Sequence, residues 1–226
     1  MPTSEKGGDS AGGSVVTGRR RLYLNNWTHP QRADETPGRA RDVDQQAVID
    51  GTRRWVSSLV IGLNLCPFAR RVFQAEKIRY VVSEARDERA LVEGLAGELR
   101  WLASCPASVF ETTLLIHPGV LQDFLDYNDF LSVAERLVRE LGLRGIIQIA
   151  SFHPGYQFAG TDAGAVENYT NRSPYPMLHL LREASIAAVA SDPAELLAIP
   201  HRNAETLRRL GREKILETLR RIKSGT

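Results

Sequence analysis

The sequence predicts an α/β fold, with an α+β sandwich as the variant, on three observations. Three short runs rich in β-branched residues, at 78–84, 110–118 and 144–154, alternate with two long stretches of helical spacing. Two of these runs end in the same triplet, His-Pro-Gly, at His117 and His153. A chain of 226 residues has room for one sizeable core and is short for two. The β-α-β-α-β order is that of a small sheet of three or more strands covered by several helices.

Residues 1–43 are Gly, Ser, Thr, Arg, Pro and Asp with hardly any periodic apolar pattern, and they include "GRRR" around Arg20. Such a segment buries too little apolar surface to offset its ordering entropy, so it reads as a disordered basic leader. Folding signals begin with "DQQAVIDGTRRWVSSLVIGLNL", where Val48, Trp55, Leu59 and Ile61 to Leu63 form one helical stripe. Pro67 suits a first helical position, which predicts a second helix over 67–77 with Cys66 at its cap. The strand "IRYVVSE" follows, then a helix over 86–104 with its apolar face at Leu91, Leu95, Leu99 and Leu102. Next come the strand "FETTLLIHP", a long helix over 119–143 closed by Gly142, and the strand "RGIIQIASFHP". The stretch 155–176 is too long and too aromatic for a linker, and compact loops of this kind usually carry function. Helices are expected to resume over 177–190 and 204–222. The chain is read as leader 1–43, one globular domain 44–211 and a helical tail 212–226.

Composition narrows the function. Twenty-nine Lys and Arg against 27 Asp and Glu leave a formal charge of +2, too balanced to imply a polyanion partner, so nucleic-acid binding ranks last. No apolar run approaches the roughly 18 residues of a membrane span, and the start lacks the apolar stretch of a secretory signal. With two cysteines there is no disulfide framework, and the cytoplasm is the expected compartment. Oligomeric state is not legible. No phosphate-binding glycine loop, dinucleotide fingerprint or nucleophile elbow is present.

The residues that carry chemistry cluster at the expected strand ends. If the two strands that end at His117 and His153 are parallel neighbours, both imidazoles reach one site at the carboxyl edge of the sheet, where open α/β sheets bind ligands. His179 and Glu183 are four apart in an expected helix, hence on one face, as a ligand pair or as base and orienter. Arg172, Ser173 and Arg182 have the donors to clamp a carboxylate or phosphate. A thiol at a helix N-cap faces unpaired amides and the positive end of the helix dipole, which favours thiolate at Cys66. Cys105 has no His or acid near it in sequence and reads as structural.

The words "VIGLNLCPFAR", "TTLLIHPGVLQDFLDYNDFL", "IIQIASFHPGYQFAGT" and "ENYTNRSPYPMLHLLREAS" together resemble a bacterial family catalogued as domain of unknown function 1415. The resemblance runs from about Asp44 to about Gly211. It implies that the motif residues Cys66, His117, Asn128, His153, Tyr156, Glu167, Asn168, Arg172, His179 and Glu183 are of interest, and it assigns none of them a role.

Three functions follow from these residues. In the first, a metal-assisted enzyme acts on a small anionic substrate. His117, His153 and His179 hold zinc, iron or copper, Cys66, Glu183, Glu167 and Tyr156 serve catalysis, and Arg172, Ser173, Arg182, Asn168 and Asn128 bind substrate. In the second, Cys66 attacks an activated carbonyl without metal, a histidine takes the proton and Glu183 or Glu167 orients that base. In the third, a module without turnover binds haem or another flat ligand through a Cys-Pro thiolate, with Tyr156, Phe158 and Tyr169 as walls.

Overall fold

A computed structural model describes residues 43–188 and 193–224, without the side chains of 193–197. The leader expected over 1–43 lies, but for its last residue, outside the described residues. The described chain is a mixed α/β domain: a four-stranded sheet with helices on both faces.

Its helices begin where the sequence offers a cap. Asp44, Asp87 and Asp123 accept from backbone amides in the first turns of α1 (Gln45–Trp55), α3 (Glu88–Ser104) and α4 (Phe124–Glu140). Asp123 takes two amides, those of Leu125 and Asp126. Replacing Asp123 with Ala is expected to lower stability by about 1 kcal/mol in urea unfolding, the usual worth of an N-cap.

The first expected helix is shorter and changes pitch. After Trp55 the chain widens into a π-helical turn, Val56–Ile61, which Gly62 closes by donating to the Ser57 carbonyl. A Cβ at Gly62 would stand 2.2 Å from the Ser58 oxygen, so only glycine fits that closure. Helix α2 is limited to Ala69–Gln74.

Strands β1 (Ile78–Val82), β2 (Thr112–Ile116) and β3 (Ile147–Phe152) stand where expected. The fourth, β4 (Met177–Arg182), corrects the reading of 177–182 as helix. "MLHLLR" is a short apolar run flanked by strands, and periodicity cannot tell a buried strand from a buried helical turn. The order is β1-β2-β4-β3: β1 and β2 are parallel, and β4 is antiparallel to both of its neighbours. Strands β2 and β3 therefore run the same way but are not adjacent, a second correction.

Each face buries its own core. On one, α3 and α4 bring Leu91, Leu95, Leu99, Tyr127 and Phe130 against Leu115, Leu178 and Leu180. On the other, α1 and the π turn bring Trp55 and Leu59 against Leu114, Ile116 and Met177. A short helix α5 (Glu183–Ala187) follows β4, and α6 (Pro193–Leu210) and α7 (Arg212–Ser224) complete the chain. They are split at Gly211, whose φ of +80° ends the first helix. The expected tail supplies Ile215 and Ile222 to the second core. No described helix is long and apolar enough to cross a membrane.

Candidate functional site

A cavity of about 310 Å³ opens on the sheet face that α1, the π turn and α2 cover. His179 lies at its floor, on the central strand, paired with Leu114 on one side and Ala150 on the other. The small side chain of Ala150 leaves room that a larger residue would fill. Thr112 fixes the imidazole: its hydroxyl donates to the Leu180 carbonyl (2.6 Å) and accepts from His179 Nε2 (2.7 Å). The proton thus belongs on Nε2, and Nδ1 has no hydrogen-bond partner among the described residues. Burial holds the ring neutral by pushing its pKa down to about 4.

Cys66 lines the same cavity. It sits just past the π turn and ahead of α2, whose cap is Phe68 rather than Cys66. Burial pushes the thiol pKa up, and the opposing hydrogen bonds from the amides of Phe68 and Ala69 do not reverse it. The expected thiolate is therefore corrected to a neutral thiol, because desolvation outweighs the amides that the sequence made visible.

Arg71 and Glu111 also line the cavity, joined by two hydrogen bonds of 2.7 and 2.6 Å. Glu111 is nearly buried, and the Arg71 hydrogen bonds, with Lys77 at 3.7 Å, hold its carboxyl below the usual range. Sequence reasoning singled out neither Arg71, Glu111 nor Thr112. The ion pair spans 40 residues with no spacing signal, and Thr112 looks like any strand threonine.

His117 and His153 belong to the opposite face. Each follows directly on the carboxyl end of its strand, as expected, and although β4 separates those strands both rings flank Tyr127 of α4, with centroids 5.8 and 5.0 Å away. His117 donates from Nδ1 to the Val120 carbonyl (3.1 Å), and its buried Nε2 has no partner among the described residues. His153 donates from Nε2 to the Leu121 carbonyl (3.2 Å) and accepts the Gly155 amide at Nδ1 (2.9 Å). Burial lowers both pKa values, that of His117 to about 4. Tyr127 was also missed. Its hydroxyl donates to the Met177 carbonyl (2.8 Å) and accepts the Phe152 amide (3.0 Å), which ties β4 to β3.

The sheet thus parts the donors that sequence grouped: Cys66 with His179 on one face, His117 with His153 on the other. Among the described residues no three His, Cys, Asp or Glu side chains converge to hold an ion. Glu183 is not on a helical face with His179. The latter is in β4, whereas Glu183 opens α5 and faces a different hollow, beside Arg139 and Arg144. Glu167 pairs with Arg208 of α6 at 3.2 Å.

Several expected substrate binders hold the fold instead. Arg182 reaches the wall of the Cys66 cavity, but its guanidinium is taken up by the carbonyls of Leu102, Cys105 and Phe110, fastening the end of α3. Arg172 donates to Tyr156 and Ala163 carbonyls, and the buried Asn168 binds Phe158, Thr161 and Asp162, so both brace the loop 155–176. Ser173 closes a turn onto the Tyr175 carbonyl. Asn128 is exposed on α4. Tyr156 packs on Phe124 and Phe158, while Tyr169 lies under Arg172, and none of the three aromatics expected to form a flat slot lines the cavity with Cys66.

A mixed four-stranded sheet with helices on both faces and a Cys-His cavity on one of them defines an α/β domain with a single-face interior site. The chain belongs to the family described as protein of unknown function (DUF1415), which it matches over residues 47–217. No curated protein and no solved structure matches it.

Proposed function

We propose that the domain binds a small, largely apolar acyl compound in the cavity and transfers its acyl group through Cys66, with His179 as the proton acceptor. One observation carries this reading: of the cysteine and histidines expected to form the site, Cys66 and His179 share a cavity, which Arg182 also lines, and apolar side chains such as Val56, Val72 and Phe152 wall it. A neutral thiol needs a base, and His179 offers a lone pair on Nδ1 while Thr112 holds the other nitrogen. In the step, Sγ bonds to the carbonyl carbon as the thiol proton passes to His179, the C–O or C–S bond breaks, and the leaving alcohol or thiol takes that proton from His179; water or an acceptor nucleophile then cleaves the acyl–Sγ bond and returns the thiol. An imidazole with a pKa near 4 is a weak base, so the chemistry suits activated esters or thioesters rather than amides. The metal-assisted reading would need more donors than this pair, since Glu111 is bound to Arg71 and the other two histidines lie behind the sheet.

The test uses p-nitrophenyl esters of increasing chain length and intact-mass spectrometry. A nitrophenol burst with one acyl adduct on Cys66 is expected, absent in Cys66→Ser and slowed about 100-fold in His179→Gln, the usual worth of a positioned base. An adduct on Cys105, or none at any chain length, would overturn the reading.

A further inference from the structure

A second hollow, of about 410 Å³, lies between α7 and residues near the two ends of the β3–β4 connection. Three cations line it, Arg172 from the loop and Arg220 and Lys223 from α7, and among the described residues no carboxylate does. On the neighbouring loop and on α7, Glu167 pairs with Arg208 and Glu217 with Arg221. Between the cations the surface is apolar, with Pro154, Tyr169 and Leu219 among its walls.

The donors here are unequal in kind. Arg172 is fixed before any ligand arrives: Nε and Nη2 donate to the Tyr156 and Ala163 carbonyls (3.0 and 2.7 Å), and the guanidinium lies 4.5 Å over the Tyr169 ring. That leaves Nη1 without a partner among the described residues. Arg220 and Lys223, three apart on one helix, stand on the same side. Arg220 makes only a 3.4 Å contact to the Leu216 carbonyl of its own helix, and Lys223 makes no ion pair among the described residues. Cations in a last helical turn complement the helix dipole. That accounts for Lys223 and not for Arg172, which reaches the hollow from a different element.

From three cations that no carboxylate neutralises among the described residues, set around an apolar wall, we infer a binding site for a small organic anion with an apolar body, its carboxylate or phosphate head held by Arg172, Arg220 and Lys223. A guanidinium held in place beside two exposed cations suits a planar or tetrahedral anion, and the apolar wall selects one that carries a hydrocarbon part. The site is separate from the Cys66 cavity and does not rest on its chemistry.

Binding is tested by following backbone amide resonances of the full chain with octanoate, octyl phosphate, octanamide and inorganic phosphate. Octanoate and octyl phosphate are expected to shift amides at 172–173 and 216–223, and octanamide and inorganic phosphate to bind at least tenfold more weakly. Arg220→Glu with Lys223→Glu should weaken both anions at least tenfold, since both side chains are exposed and their loss leaves the fold intact. Arg89→Glu, exposed on α3, should leave binding unchanged. Shifts confined to residues around Cys66, equal binding of octanamide or of inorganic phosphate, or an unaffected double variant would each overturn the site.

Discussion

Between pH 6.5 and pH 4 the protein is expected to lose most of its stability. His117 and His179 are held neutral in the fold with pKa values of about 4, below the ordinary 6.5 of an unfolded chain. A group whose folded pKa is depressed takes up its proton more readily when unfolded. The stability it confers is complete above 6.5 and drains away as pH falls toward 4, by up to roughly 3 kcal/mol for each ring. The charged form of His117 is poorly accommodated: among the described residues its Nε2 has no hydrogen-bond partner, and His153 beside it adds repulsion if it protonates. Protonating His153 would also cost the hydrogen bond from the Gly155 amide, with the Asp123 charge favouring the cation. Two such rings together approach the 5–15 kcal/mol typical of a whole domain. The Glu111 carboxyl, held low by Arg71, contributes a separate loss that begins only below its ordinary range near 4.5. Urea midpoints measured from pH 7.5 to 4 will show the slope, and His117→Gln and His179→Gln should each flatten it. A midpoint constant down to pH 4 would contradict neutral burial of these rings.

Removing one oxygen, in Tyr127→Phe, is expected to cost about 2–3 kcal/mol. The ring would keep its place between the two histidines, so packing changes little. The Phe152 amide and the Met177 carbonyl would lose their partner in a buried place, and an unsatisfied buried group costs about 1–3 kcal/mol. Because the two partners belong to adjacent strands, the loss should also appear as faster amide exchange at the ends of β3 and β4. Unchanged unfolding would show that water or a shifted side chain replaces the hydroxyl.

Three of the four strands were legible because β-branched residues, flanking helices and turn residues agreed with one another. Strand β4 was not, since its neighbours bury it on both sides and erase the alternation that marks a half-exposed strand. That single miss redistributed the site: with 177–182 as helix, His179 and Glu183 share a face, and as strand they part. Cys66 was found by its company, a cysteine between an apolar run and a proline. Its charge state was misjudged because sequence displays the local amides and hides the walls that desolvate the sulfur. The strand-end histidines reached a common place by a route that no spacing announces, through Tyr127 of α4.

The strand order also has a consequence for biosynthesis. Strand β4 is the last of the four to leave the ribosome, yet it occupies the seam between β2 and β3. The parallel β1–β2 pair is complete once residue 116 has emerged, whereas β3 has no strand partner until residue 182 follows it out. During that interval the nascent chain carries two unjoined pieces of sheet with open edges, and both are closed by the insertion of six residues. A chain halted before Met177 would hold the sequence of α1 to α4 and a paired β1–β2, with β3 still lacking a strand to join, so the sheet is expected to close only when β4 arrives.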